Sequence, residues 1–150
     1  MTVKSIVITG GLGYVGGRLS KYFADKGFQV YAISRSKKVD YQNITVYTEE
    51  KVFEEKVLDS VTVDAVIHLA ATNEITCSKD PKWSNEVNIN GTLRWLEWSA
   101  KNQIGQFIYF STVHVYARPL IGKFSEESSC KPNHPYSCLL YTSPSPRDRG

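Results

Sequence analysis

Apolar and polar positions along this 150-residue chain follow two rhythms. Short runs rich in β-branched and aromatic residues read as strands at 5–9, 29–34, 44–47, 65–69 and 107–111. Between them, apolar residues spaced three and four apart read as helices. The first covers 14–26, with Val15, Leu19, Tyr22 and Phe23 facing inward and Gly27 placed to end it. A second is expected over 51–60, with Val52, Phe53, Lys56 and Val57 at helical spacing. A third runs over 81–102, opened by Pro81, with Val87, Leu93, Leu96 and Ala100 on its inner face and Trp83, Trp95 and Trp98 as core or interface bulk. The run at 65–69 is nearly all apolar, as befits a strand covered on both faces. Strands alternating with helices of these lengths imply an α/β fold, a doubly wound parallel sheet with right-handed crossovers that stops after about five strands.

The first strand hands over to its helix through a distinctive turn. Thr9 is followed by glycines at 10, 13 and 16. Gly10 suits a tight turn, Gly13 lets backbone approach a phosphate, and Gly16 lets the helix sit close to the strand. A helix N-terminus there offers backbone N–H groups to a dinucleotide pyrophosphate. The candidate contacts are Gly10, Gly13, Tyr14, Val15 and Gly16.

Composition adds exclusions. A net charge of +3, scattered along the chain, does not suggest a nucleic-acid or membrane partner. No apolar run approaches the length of a bilayer span, and the N-terminus leads into a strand rather than a signal peptide. Cys77, Cys130 and Cys138 fit neither a disulfide framework nor a metal site, and the expected compartment is the reducing cytoplasm.

Ligands of open parallel sheets bind beyond the carboxyl ends of the strands. After the second strand comes Ser34-Arg35-Ser36-Lys37-Lys38, which has no carboxylate to accept from a ribose. Arg35 could pair with a 2′-phosphate instead, which favours NADP over NAD. His68 closes a buried strand, where a satisfied core histidine is the commoner finding. Leu69, Ala70 and Ala71 follow it with little side-chain bulk at the backbone, and residues 111–116 form a hydroxyl-rich exit from the fifth strand.

Residues 9–16, His68-Leu69-Ala70-Ala71, Asn88-Ile89-Asn90-Gly91-Thr92 and 111–116 together resemble the extended short-chain dehydrogenase/reductases, more narrowly the nucleotide-sugar epimerase/dehydratase group. The resemblance implies a Rossmann-type fold and coenzyme contacts that include Asn88 and Ser111. It also implies that Thr112 hydrogen-bonds the reacting oxygen and that Tyr136 is the catalytic tyrosine of a Tyr-x-x-x-Lys motif. A free phenol, with a pKa near 10, is a poor base at neutral pH, and the family's lysine one turn onward lowers it. Here that position is Leu140. Sugar 4,6-dehydratases carry Asp-Glu after the threonine, whereas this chain has Val113-His114, so dehydration of that kind is disfavoured. His114 stands either as an acid/base or as a polar neighbour of the pocket. Ala117 replaces the glycine usual after the family's first tyrosine.

The eleven residues from Cys138 to Asp148 show no helical or strand periodicity and resemble the translation of a transposon-type sequencing-library adapter. Residues 1–137 are therefore expected to be native and 138–150 a non-native tail, the parent protein continuing beyond. The expected parent is a cytoplasmic homodimer, an NAD(P)-dependent epimerase or reductase of a nucleotide-linked sugar. The fragment itself is expected to be inactive. The rival is a non-catalytic, redox-sensing dinucleotide-binding module.

Overall fold

A computed structural model describes residues 4–35, 38–116 and 119–143. Five strands, β1 (Ser5–Thr9), β2 (Gln29–Ile33), β3 (Ile44–Tyr47), β4 (Ala65–His68) and β5 (Gln106–Tyr109), form one sheet in the order β3-β2-β1-β4-β5. Every pairing is parallel. The expected strands are all present, and β1 at the centre is buried at each of its five positions. This is the Rossmann-like α/β arrangement, with the chain reversing direction of travel across the sheet between β1 and β4.

The helices are α1 (Tyr14–Asp25), α2 (Glu49–Phe53), α3 (Glu74–Lys79), α4 (Pro81–Asn85), α5 (Gly91–Lys101) and α6 (Pro135–Thr142). A π-helical segment, Glu86–Asn90, joins α4 to α5, and a 3₁₀ turn, Val113–Val115, follows β5. Two compact units result. One comprises the residues up to Ala70 together with Glu97–Tyr109; the other comprises Ala71–Leu96 and the residues from Phe110 onward.

In the first unit, Ile6, Ile8, Ala24, Val30 and Ile67 make a buried cluster, with Leu19, Phe23, Phe28 and Ile44 packed against it. The inner face of α1 matches the expected one at Leu19 and Phe23 only. Gly16, Ser20 and Ala24 are its buried residues, while Val15 and Tyr22 are exposed. Small residues four apart let this helix lie close to the sheet, with Leu19 and Phe23 packed beside them, while Val15 and Tyr22 turn outward. Further along, α2 is a single turn capped by Thr48, not a helix over 51–60. Lys56 takes a left-handed φ of 56°, which ends helical geometry, and Leu58 beyond it is buried.

In the second unit, Asn73 caps an unforeseen helix, α3, by accepting from the Thr76 N–H at 2.9 Å. Asp80 then caps α4, with Pro81 in its first turn. The helical run from Pro81 was expected to be regular, and its π-helical segment changes which residues face inward. Trp95, Leu96 and Trp98 are buried, but Trp83, Leu93 and Ala100 are exposed. The absence of helical periodicity expected from Cys138 onward is also corrected: α6 runs through Thr142 and buries Leu140. Among the described residues, no helix is long and apolar enough to cross a membrane.

Candidate functional site

The first unit carries the glycine turn. Gly10 takes a left-handed φ of +64°, which L side chains rarely adopt. A Cβ at Gly16 would overlap the Gly10 carbonyl, so α1 can approach the turn only with glycine there. Gly11, which lies outside the three-glycine spacing, is equally constrained: a Cβ would come within 2.6 Å of the Ile8 carbonyl oxygen and 2.8 Å of the Ala32 Cβ. Hydrogen bonds pin the turn in place. The Gly11 N–H donates to the Ile33 carbonyl at 3.1 Å, and the buried Ser20 hydroxyl donates to the Gly11 carbonyl at 2.8 Å. Ser20 was also missed; its only signal was a polar residue in line with Gly16 and Ala24 on the inner face of α1.

Gly13 sits at the N-cap of α1 with no side-chain cap, and the first turn has no acidic residue. The positive end of the helix dipole is therefore left for an external anion. Tyr14 and Val15 in that turn are 80% and 46% exposed. Beside them lies a cleft of about 490 Å³, lined by Leu12, Gly13, Tyr14, Arg18, Lys21 and Lys38 among others, none of them acidic. The Arg18 guanidinium stacks 3.9 Å from the Tyr14 ring centroid and donates to the Tyr14 carbonyl at 2.9 Å. Arg35, just past β2, is exposed; Ser36 and Lys37 lie outside the described residues.

Leu69 and Ala70 leave β4 against this turn. A Cβ on Gly10 would meet the Ala70 nitrogen at 3.3 Å and the Leu69 carbonyl carbon at 3.4 Å. Both of their N–H groups donate to Thr9 Oγ1, each at 3.1 Å. His68 is the buried, satisfied histidine expected, with Nδ1 2.8 Å from Thr9 Oγ1. Burial pushes its pKa down to about 4.

In the second unit, Ala71 is exposed and Asn88 is fully buried within the π-helical segment. Asn88 Oδ1 accepts the Thr72 N–H at 2.8 Å, fixing the chain just after Ala71. Its carbonyl accepts from the Thr92 hydroxyl at 2.8 Å and the Ser143 hydroxyl at 2.6 Å. Ser111 is exposed. Thr112 caps the 3₁₀ turn, its Oγ1 accepting from the His114 N–H at 3.3 Å. That turn packs on α6, which carries Tyr136 and also packs against α3 and the π-helical segment. His134 caps α6: its Nδ1 accepts the Tyr136 N–H at 3.3 Å, and its Nε2 lies 3.2 Å from a Glu74 carboxylate oxygen. Partial burial, and then the nearby Cys77, raise the Tyr136 phenol above its ordinary pKa. Leu140 lies one helical turn beyond it, buried. His114 Nδ1 is buried with no hydrogen-bond partner among the described residues, and Ala117 lies outside them.

The model of the NAD dependent epimerase/dehydratase family matches residues 6–140. The chain belongs to that family. Among its curated members, a UDP-glucose 4-epimerase of Halalkalibacterium halodurans is 26% identical over 140 residues, covering 88% of this chain and 42% of that protein. A dTDP-D-glucose 4,6-dehydratase of Dictyostelium discoideum is 32% identical over 163 residues, covering 90% of this chain and 37% of that protein. The structure of a UDP-glucose 4-epimerase with UDP-glucose from Thermotoga maritima superposes with a TM-score of 0.79 at 27% identity, over 92% of this chain and 48% of that one. The chain thus spans less than half the length of these family members. The glycine turn fits the NAD that the family's name implies, because its two tightest positions exclude a Cβ and its helix end lacks a side-chain cap.

Proposed function

We propose that residues 1–137 are the N-terminal part of an NAD(P)-dependent epimerase or reductase acting on a nucleotide-linked sugar, and that residues 138–150 are a non-native, adapter-derived tail. The observation that carries this reading is the α1 N-terminus, with neither a side-chain cap nor a first-turn acid, in a chain of the epimerase/dehydratase family. Gly10, Gly13, Tyr14, Val15 and Gly16 present backbone to the pyrophosphate. Leu69, Ala70, Ala71, Asn88 and Ser111 border the coenzyme. Bound coenzyme supplies the nicotinamide that exchanges hydride with a sugar carbon. Tyr136 takes the proton from the sugar hydroxyl, and Thr112 hydrogen-bonds the same oxygen as charge develops on it.

Arg35 and the basic cleft of Arg18, Lys21 and Lys38 support NADP over NAD, since a 2′-phosphate adds charge that these residues complement. Val113, which cannot transfer a proton, argues against 4,6-dehydration, although one relative is such a dehydratase. A phenol raised by burial beside Leu140 has no cation one turn away to make it a base. The chain as it stands is therefore expected to hold coenzyme without turning over sugar. The parent is proposed to be a cytoplasmic homodimer.

The test is to recover the parent gene beyond Ser137 and assay its product. Retention of NAD(P) in calorimetry, with exchange of label between epimeric UDP-sugars or reduction of a keto sugar, supports the reading. Failure to bind either coenzyme overturns it. If the parent also carries leucine at position 140 and binds coenzyme without chemistry, it is instead a non-catalytic sensing module.

A further inference from the structure

Three strands of the first unit end in register beside the glycine turn: Thr9 on β1 pairs with His68 on β4, which pairs with Tyr109 on β5. Thr9 and His68 are both buried and meet through their side chains. A hydroxyl has two lone pairs and one proton to offer. Thr9 Oγ1 uses its lone pairs on the N–H groups of Leu69 and Ala70, the Leu69 N–H being shared with the Thr9 carbonyl at 3.3 Å. Its proton is then left for His68 Nδ1, 2.8 Å away. Nδ1 must accept, so a neutral His68 carries its proton on Nε2.

We infer that Thr9 and His68 form a positioning pair, in which a neutral imidazole fixes the direction of the Thr9 hydroxyl so that this hydroxyl holds the Leu69–Ala70 backbone against Gly10. The inference deepens the coenzyme-binding reading and rests on it for its consequence, because Leu69 and Ala70 are proposed to border the coenzyme. A protonated imidazole would point an N–H at an oxygen whose lone pairs are both taken. The Ala70 bond would then be given up, while Leu69 keeps the Thr9 carbonyl, and the chain at Ala70 would lose its register with the glycine turn. The surroundings keep the ring neutral: Thr9 faces it from β1, while Phe107 and Tyr109 on β5 lie 5.8 and 6.0 Å away between ring centroids. Tyr109 is the titratable side chain among these neighbours.

The pair was partly visible in the sequence, as a threonine closing one strand and a histidine closing another. Only the parallel register, joining positions 59 residues apart, turns them into one unit.

The experiment has two arms on the full chain. In the first, long-range ¹H–¹⁵N spectra of coenzyme-free protein at pH 7, assigned with His68→Gln, report which ring nitrogen of His68 is protonated. Hydrogen exchange at the Ala70 amide is compared in wild type, Thr9→Ser and Thr9→Val, with the Leu69 amide, which keeps the Thr9 carbonyl, as internal reference. The inference expects the Nε2–H tautomer, wild-type protection in Thr9→Ser, and exchange faster by about tenfold or more in Thr9→Val. A proton on Nδ1 at pH 7, or unchanged protection in Thr9→Val, overturns it. Should Thr9→Val fail to fold, the wild-type tautomer alone decides.

The second arm measures NAD and NADP binding by calorimetry. Affinity should fall about tenfold in Thr9→Val and return in Thr9→Ser. Wild-type binding that is equal in Thr9→Val overturns the positioning role. Absence of binding in the wild type would instead count against the coenzyme reading, and the spectra would still judge the pair.

Discussion

A histidine kept neutral by burial ties the stability of the fold to acid. His68 has a native pKa of about 4, against the ordinary 6.5. Above pH 6.5 neither the native nor the unfolded state holds the extra proton, and the fold has its full stability. As pH falls from 6.5 towards 4 the unfolded chain takes up a proton that the native chain refuses, so stability declines, by on the order of 3 kcal/mol in all. Urea unfolding across that window should show the decline, and His68→Gln should flatten it. An unchanged slope in the variant would mean that other groups carry the acid sensitivity. At Tyr136 the same chemistry runs the other way, because burial and Cys77 raise the phenol and nothing cationic sits one turn onward. Leu140→Lys should lower the Tyr136 titration midpoint, read from ¹³Cζ-labelled tyrosine, whereas Leu140→Met should leave it in place.

At the level of elements, the sheet was legible and the helices only partly so. Strand signals survive because β1 and β4 are buried along nearly their whole length and punctuated by glycine or polar residues. The inner face of α1 was read correctly at Leu19 and Phe23 but not at Val15 and Tyr22, where bulk was taken as a mark of burial. Close approach to the sheet selects Gly16, Ser20 and Ala24 instead. The capping residues Thr48 and Asn73 carried the missed boundaries of α2 and α3. A π-helical insertion leaves no trace in a 3.6-residue pattern, which is why Leu93 and Ala100 were assigned to the wrong face. Of the candidate site, the glycines and the His68-Leu69-Ala70 run could be read directly. The work of Gly11, Ser20 and the Thr9–His68 contact depends on neighbours brought together only by folding. Asn88 illustrates the element scale best, since one buried amide joins the π-helical segment to the chain at Thr72. Asn88→Ala would leave the Thr72 N–H without that acceptor and should cost about 1–3 kcal/mol. The measurable sign is a lower melting temperature together with faster exchange at the Thr72 amide; a variant as stable as wild type would show the bond to be dispensable.

For the whole molecule, a net charge of +3 is too small to steer ligands by itself, so the proposed coenzyme preference rests on where the cations stand. Arg18, Lys21 and Lys38 line one cleft beside the α1 N-terminus, and Arg35 is exposed just past β2. NADP differs from NAD by a 2′-phosphate of up to two negative charges, so the proposed preference for NADP should be electrostatic and therefore sensitive to salt. Exposed charges are screened over about 8 Å at physiological ionic strength and over about 3 Å at 1 M. The ratio of NADP to NAD affinity should thus exceed one at low salt and shrink towards one as salt is raised. Replacing Arg35 and Lys38 with alanine should collapse the ratio by lowering NADP affinity while leaving NAD affinity nearly unchanged, because the pyrophosphate is proposed to rest on backbone N–H groups that these substitutions do not touch. Calorimetric titration of both coenzymes at two salt concentrations, in wild type and in the double variant, measures each term. A ratio indifferent to salt and to both substitutions would remove the cations from coenzyme selection and leave the glycine turn as the shared anchor for either coenzyme.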